Sequence, residues 1–268
     1  MTLLCGDSRG VVPTFCLIFK KLHTTLRIFP QSSPKFFIIF ALMIKMGVIN
    51  LTPDSFYEPS RYNYAMLERE DVQIIDVGAV STRPGAPDVE LEEEWRRLEP
   101  FLRMWAMEPR GKRLSIDTTR AEIVRRACEV VGPFIVNDIS AGHDDPQMLP
   151  TVGRLGLTFI AMHKRGNPRT MDSLADPETD IIEQLIEYFR EFEQQARAHG
   201  ISDWILDPGL GFAKTERQNI EIIERLGELT IFGRPILIGV ADKRFTHGDT
   251  AKYEKMGAEN GAHILRIH

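Results

Sequence analysis

Short apolar segments recur along the chain from Met46 onwards, and most of them end in a polar residue. They occupy residues 46–50, 74–78, 114–117, 134–138, 157–163, 204–207, 235–240 and 263–268. Runs of this length that are rich in Ile, Val and Leu are typical of strands buried on both faces of a sheet. We therefore predict eight strands, most of which would belong to a parallel sheet.

Most of the intervening segments show helical spacing. Leu91, Trp95 and Leu98 follow one another at i, i+4 and i+7, although Pro100 should kink that helix. Strands that alternate with helices predict the α/β class and a (β/α)8 TIM barrel. A doubly wound sheet is the alternative fold, but no Gly-rich dinucleotide fingerprint follows any strand.

Three features of this predicted barrel are unusual. Residues 64–70 and 249–260 are the only stretches available for the first and seventh helices, so both helices should be short. No residues after 268 provide an eighth helix. The outer apolar face of the last strand would then be uncovered, which a folded domain in water rarely tolerates, unless residues 1–45 or a partner cover it.

Composition excludes several classes of protein. The chain has 268 residues, a net charge of −5 and a pI of about 5.9, so it lacks the basic surface of a nucleic-acid-binding protein. Cys5, Cys16 and Cys128 show no metal-binding or disulfide spacing. We expect a cytoplasmic protein that binds neither nucleic acid nor membrane.

Residues 1–45 differ from the rest of the chain, which is why we place the domain boundary after them and assign residues 46–268 to the barrel. They contain six Lys or Arg and one acidic residue, and the apolar run 36–44 is too short to span a membrane. An organellar transit peptide is one interpretation, and a strand at the bottom of the barrel formed by 36–44 is another. Our preferred hypothesis is a largely non-native leader, with translation starting at Met43 or Met46.

The segment 204–214 contains the clearest candidate for chemistry. Asp207 stands where an apolar run ends, and a Pro-Gly-Leu-Gly sequence follows it. The chain must turn there, and its glycines let the backbone approach a ligand closely. A helix-capping Asp is the alternative interpretation. The carboxyl ends of barrel strands form the active site of this fold, so a binding role is favoured.

Five motifs in order resemble the dihydropteroate synthase family. They are residues 46–56 (MGVINLTPDSF), 76–85 (DVGAVSTRPG), 115–118 (SIDT), 136–140 (VNDIS) and 207–212 (DPGLGF). The resemblance extends from Met46 to His268. It implies a sulfonamide-inhibited transferase that joins 6-hydroxymethyl-7,8-dihydropterin pyrophosphate to 4-aminobenzoate in folate biosynthesis, with Mg2+ as the metal.

The resemblance also implies the pterin-binding residues. A pterin presents N–H donors beside a carbonyl, and a carboxylate such as Asp207 can accept two of those N–H groups. The remaining pterin contacts would come from Asp117, Asn137, Lys243 and Met162, of which Met162 would cover the ring face.

The second half of the implied site binds pyrophosphate. Asn50 would be the protein ligand of Mg2+, and Arg83, Arg266 and His268 would contact phosphate. No side-chain nucleophile is needed, so the catalytic residues are those that position substrate and stabilise the leaving charge. They are Asn50, Lys243, Arg266 and His268.

The aminobenzoate slot would be formed by residues of two loops and of the segment after the seventh strand. They are Thr82, Pro84, Phe212 and Arg244. The family implies a homodimer built from the late helices, and the short seventh and absent eighth helices argue against the same interface here.

One sequence difference opens an alternative function. The family usually has Ser-Arg-Lys after the seventh strand, whereas this chain has Ala241, Asp242 and Lys243. A carboxylate near an anionic substrate should weaken binding. A degenerate pterin-binding protein without catalysis is therefore the second hypothesis, and a pterin-dependent methyltransferase is a third that the STRPG loop disfavours.

Overall fold

The computed structural model describes residues 43–51, 61–80, 89–164 and 180–268. This part of the chain contains eight parallel strands in the order β6-β5-β4-β3-β2-β1-β8-β7. The strands are β1 (Ile44–Asn50), β2 (Ile74–Gly78), β3 (Arg113–Asp117), β4 (Ile135–Asp138), β5 (Thr158–Met162), β6 (Trp204–Asp207), β7 (Leu237–Gly239) and β8 (Ile264–Ile267). Every predicted strand is present.

Helices alternate with these strands. They are α1 (Arg61–Glu68), α2 (Leu91–Met107), α3 (Ala121–Val131), α4 (Met148–Leu155), α5 (Ile181–Ala198), α6 (Glu216–Glu224) and α7 (Thr250–Glu259). As predicted, α1 and α7 are short, with 8 and 10 residues. Pro100 lies inside α2, which continues beyond it to Met107.

The sheet closes on itself as a barrel. β1 pairs with both β2 and β8, and β7 pairs with β8. The two ends of the strand order meet through a parallel bridge between Leu206 and Ile236, where the Leu206 N–H donates to the Pro235 carbonyl at 2.9 Å. The prediction of an α/β (β/α)8 TIM barrel is confirmed.

Alternate strand positions fill the inside of the barrel, because successive strand side chains point to opposite faces. The lower interior is apolar, and each of its side chains is at most 1% exposed: Met46, Ile74, Ile135, Ile160, Ile205, Leu237 and Ile264. The other strand face packs against the helices. There, Trp204 contacts the rings of Phe189, Phe192 and Phe232.

The outer face of β8 is covered at Leu265. This residue belongs to the outer apolar core and is only 1% exposed.

β1 begins at Ile44, two residues before the predicted strand, and Ile44 pairs with Ile264. The predictions about residues 1–42 lie outside the described residues. Of the helices in the described ranges, none combines the length and apolar content that a membrane-spanning helix needs.

Candidate active site

A row of side chains crosses the carboxyl ends of the first four strands. The strand register pairs Asn50 with Gly78, Gly78 with Asp117, and Asp117 with Asn137. These residues are therefore neighbours across the four strands. Gly78 makes room in this row, since a Cβ there would lie 3.2 Å from the Cβ of Asp117.

Asp207 faces this row from β6. It is 2% exposed, and its strand partner on β5 is Met162, which is 1% exposed. The Gly209 N–H donates to Asp207 Oδ1 at 2.7 Å, which fixes the carboxylate at the start of the following turn. Gly209 has a φ of 66°, and a Cβ at this position would lie 2.1 Å from the His163 carbonyl oxygen. Only glycine fits this turn.

Lys214 stabilises the same turn from its far end. Its Nζ donates to the carbonyl of Gly209 at 2.9 Å and to that of Phe212 at 3.0 Å. The Gly211 N–H donates to Asn219 Oδ1 on α6 at 2.7 Å. The backbone polar groups of the turn are thus held by side chains, and the turn has a defined shape around Asp207.

Two cations occupy the β7–β8 side of the barrel mouth. Arg266 is half-buried on β8 beside Gly239, where a Cβ would lie 3.1 Å from Arg266 Nε. Lys243 packs beside Gly211, where a Cβ would lie 3.1 Å from Lys243 Cδ. Lys243 Nζ also lies 4.9 Å from the centroid of the Phe212 ring, within the range of a cation–π contact.

The carboxyl groups of the mouth have perturbed pKa values. The pKa of Asp117 is raised to about 8, mainly by burial and also by nearby Asp76, while Arg266 opposes the shift. Burial also raises the pKa of Asp207, against the opposing effects of Arg266 and of the Gly209 N–H. The pKa of Lys243 is lowered to about 8, mainly by burial and also by Arg266, while Asp207 opposes the shift. Perturbed groups that converge in one cleft are typical of functional sites.

Another buried carboxylate lies on β2, two residues before Gly78. Asp76 is 2% exposed; the Ser115 hydroxyl donates to its Oδ1 at 2.7 Å, and Asn137 Nδ2 donates to its Oδ2 at 2.9 Å. Burial raises the pKa of Asp76, whereas Arg266 and these two hydrogen bonds lower it.

The loop after β3 is clamped from α2. Glu94, which is 2% exposed, accepts from the Thr118 hydroxyl at 2.7 Å and from Arg120 Nη1 at 2.9 Å. Arg120 also donates to the carbonyl of Val89. This clamp connects the segment that carries Asp117 with the backbone that follows residues 81–88.

A family profile described as pterin binding enzyme matches residues 46–268, which is most of the chain. The match includes all eight strands except the first two residues of β1. The chain belongs to the dihydropteroate synthase family of pterin-binding enzymes. The site residues described above all lie within the matched segment.

Named relatives agree with this family. The chain is 40% identical to dihydropteroate synthase from Synechocystis over 210 residues, covering 75% of this chain and 72% of the relative. It is 39% identical to the folic acid synthesis protein fol1 of Pneumocystis carinii over 248 residues, covering 83% of this chain. The chain spans only 33% of that longer protein's length.

A solved structure of the family has the same fold. Dihydropteroate synthase from Xanthomonas albilineans, determined with 4-aminobenzoic acid, superposes with a TM-score of 0.74 at 29% identity. The superposition covers 84% of this chain and 87% of the other.

The structure brings most of the predicted family site together. Five of the predicted residues converge at the barrel mouth, namely Asp117, Asn137, Asp207, Lys243 and Arg266. Asn50 is half-buried at the end of β1, whereas Arg244 and His268 are exposed. Thr82, Arg83 and Pro84 lie outside the described residues.

Asp76 and Ser115 are the residues that the sequence interpretation missed as part of the site. It sought polar residues at strand ends, but Asp76 and Ser115 lie two positions earlier, on the same strand faces as Gly78 and Asp117. A charged residue inside the otherwise apolar run Ile74–Gly78 was the available signal, because a buried carboxylate requires polar partners.

Proposed function

We propose that this chain is a dihydropteroate synthase, which joins 6-hydroxymethyl-7,8-dihydropterin pyrophosphate to 4-aminobenzoate in folate biosynthesis and releases pyrophosphate. The observation that carries this proposal is the barrel mouth. Acceptor side chains of β3, β4 and β6 there face the cations of β8 and of the segment after β7.

The acceptor side suits a pterin. Asp207 Oδ1 accepts from Gly209, which leaves Oδ2 as the oxygen that a pterin N–H can address. Asp117 and Asn137 supply further oxygens from the paired ends of β3 and β4. Lys243 would donate to the pterin carbonyl, and Met162 would pack against the ring face.

The cationic side suits the pyrophosphate. Arg266 presents a planar set of donors that matches phosphate oxygens, and His268 follows it by two residues. His268 is exposed at the rim, where it can reach a phosphate that is entering or leaving.

Mg2+ would bind at the same side through Asn50. The described residues contain no cluster of three or more His, Cys, Asp or Glu that could hold a metal by itself. One amide oxygen is nevertheless a sufficient protein contribution, since Mg2+ usually binds one or two protein ligands together with substrate phosphates and water. The bound ion would neutralise charge on the leaving pyrophosphate.

The aminobenzoate would lie beside Phe212. The Phe212 ring and the Lys243 ammonium are already in contact, so an aromatic ring with a carboxylate finds both an apolar surface and a cation here. Arg244 follows directly in the chain and is exposed towards solvent. Within residues 81–88, we also assign Thr82 and Pro84 to the aminobenzoate slot and Arg83 to the pyrophosphate.

The reaction needs positioning more than reactive side chains. The methylene carbon–oxygen bond breaks, and its electron pair leaves with pyrophosphate, so the pterin methylene becomes a cation. The aminobenzoate nitrogen then forms the new carbon–nitrogen bond and releases a proton. The mouth contributes by orienting the two substrates and by stabilising the leaving anion through Arg266.

The degenerate-protein hypothesis depends on Asp242, and the position of this residue weakens it. Asp242 is exposed and has a φ of 56°, a left-handed conformation that Asp tolerates better than most residues. Its charge favours the protonated ammonium of Lys243 and is the weakest of the influences on that pKa, so the replacement of a family cation by Asp is compatible with catalysis.

The decisive test is turnover of dihydropterin pyrophosphate and 4-aminobenzoate with Mg2+, together with calorimetric binding of the pterin substrate. Wild-type protein should form dihydropteroate and lose this activity on metal chelation. Asp207→Asn should weaken pterin binding at least tenfold, because an amide N–H would then face the pterin donors. The control, Asp203→Asn, changes the same side chain at the other end of the same strand and should bind normally.

Pterin binding without product would instead support the degenerate protein. If wild-type chain bound no pterin, or if Asp207→Asn bound as tightly as wild type, the proposed function would be wrong. A cytoplasmic location and a homodimer with a modified interface remain predictions of the same proposal.

A further inference from the structure

We propose that Asp76 is a positioning residue that orients the Asn137 amide so that its oxygen, and not its nitrogen, faces the pterin. This inference rests on the proposed function, and it adds a residue that sets the preference for a 2-amino pteridine.

The contacts of Asp76 leave little freedom. Its two oxygens each take one donor, the Ser115 hydroxyl at 2.7 Å and Asn137 Nδ2 at 2.9 Å. All three side chains are buried, with exposures of 2%, 0% and 1% for Asp76, Ser115 and Asn137. A carboxylate only accepts hydrogen bonds, so it selects the nitrogen end of the Asn137 amide.

The strand register then determines where the amide oxygen points. The strands of a barrel are tilted, so the side chains of one inner layer come from alternate strands. By this rule Asp76 on β2 and Asn137 on β4 share a layer with Asp207 on β6 and Arg266 on β8. The amide is planar, with oxygen and nitrogen on opposite sides of the Cβ–Cγ axis. With Nδ2 drawn sideways to Asp76, Oδ1 is turned away from it, towards the side of the layer that carries Asp207.

This orientation sets the hydrogen-bond pattern of the mouth. Asn137 Oδ1 joins the carboxylates of Asp117 and Asp207 as an acceptor, which matches the 2-amino and ring N–H donors of a pterin. A flipped amide would place N–H groups against those donors. It would instead suit a 2-oxo ring, so Asp76 should determine the discrimination between 2-amino and 2-oxo pteridines.

A second role for Asp76 must be separated from this one. Its charge also interacts with Arg266 and with Asp117, so loss of that charge could alter the mouth without any change of amide orientation. Exchanging the two side chains distinguishes the roles. In Asp76→Asn/Asn137→Asp, the amide at 76 can donate to the carboxylate at 137, whose other oxygen faces the mouth, while the charge at 76 is still absent.

The experiment measures binding of pterin and of its 2,4-dioxo analogue, lumazine, by calorimetry. Wild-type protein should prefer pterin. Asp76→Asn should bind pterin about tenfold more weakly, with a smaller change for lumazine, because one donor–acceptor match is lost. The exchanged double variant should recover most of the preference for pterin. Asp203→Asn, which makes the same carboxylate-to-amide change just before β6 and outside the barrel mouth, should retain the preference and serves as the matched control.

Two results would overturn the inference while the proposed function stands: an unchanged pterin preference in Asp76→Asn, or a double variant no better than Asp76→Asn. Failure of wild-type protein to bind pterin would reject the proposed function itself. If Asp76→Asn does not fold, hydrogen exchange of the Asn137 side-chain amide in the wild-type protein tests the inference instead. Slow exchange both with and without pterin supports the inference, whereas fast exchange that pterin slows contradicts it.

Discussion

At the scale of single residues, Lys243 has the most sensitive environment in the site. Burial and Arg266 lower the pKa of its ammonium to about 8, and Asp207 and Asp242 oppose that shift. The residue is therefore close to losing its charge under mildly alkaline conditions. The exposed Asp242, which differs from the family's cation, helps to keep the ammonium protonated.

Binding of the pterin should consequently depend on pH through Lys243. Below pH 8 the ammonium donates to the pterin carbonyl, and affinity should fall as pH rises through about 8. Asp242→Asn removes an anion that favours the ammonium, so the fall should move to lower pH. Asp242→Arg should move it further in the same direction.

The measurement is pterin affinity from pH 6 to 9. The control is Glu70→Gln, which makes the same charge change before β2, at the opposite end of the barrel. It should leave the pH dependence of pterin affinity unchanged. A profile that Asp242→Asn leaves unchanged would mean that Asp242 has no influence on the site.

At the scale of elements, the turn after β6 positions Asp207. The turn can adopt this shape because residue 209 is a glycine. Gly209 and Gly233 share nearly the same left-handed φ, 66° and 60°. A Cβ at Gly209 would overlap the His163 carbonyl oxygen, whereas a Cβ at Gly233 would meet nothing within 4 Å. The two positions therefore separate backbone strain from steric overlap.

Gly233→Ala should destabilise the protein by about 1 kcal/mol, which is the left-handed strain of a Cβ. Gly209→Ala should cost more, about 3 kcal/mol, because backbone must also shift. It should also weaken pterin binding, since the Gly209 N–H holds Asp207. Chemical denaturation and calorimetry would measure both effects, and equal stability losses in the two variants would contradict this account.

The same elements show how far sequence reasoning reaches. The apolar runs predicted all eight strands, and the polar residues at their ends predicted Asp117, Asn137 and Asp207 in one mouth. These predictions succeed because a barrel brings every strand end to one face. Asp76 and Ser115 were missed because a polar residue inside a strand is recognised only through the register of its neighbours, which local sequence does not specify.

Long-range contacts between loops were equally hidden. Neither the Glu94–Arg120 clamp nor the contact from Arg120 to the Val89 carbonyl follows from spacing, since these residues lie on different elements. The covered outer face of Leu265 is a third example, because packing of the outer core depends on the assembled fold.

At the scale of the whole molecule, the carboxyl groups of the site lower the stability of the fold. Asp76 and Asp207 are buried and Asp117 is half-buried in one mouth, and desolvation raises the pKa of each carboxyl group. The apolar barrel interior and the outer helical core must therefore offset the cost of these groups. Removing one of these charges should raise the free energy of unfolding and weaken pterin binding.

Asp117→Asn tests this trade-off. The carboxyl pKa is about 8 in the folded protein against an ordinary 3.8, so the folded state retains a proton that the unfolded chain releases. Wild-type stability should consequently decline as pH rises from about 4 to 8. An Asn does not ionise, so the variant should be more stable at pH 8 by ~1–2 kcal/mol, with little gain near pH 4, and should bind pterin more weakly. Denaturation at both pH values checks this. A variant less stable than wild type at pH 8 would mean that the Asp117 carboxylate stabilises the barrel mouth.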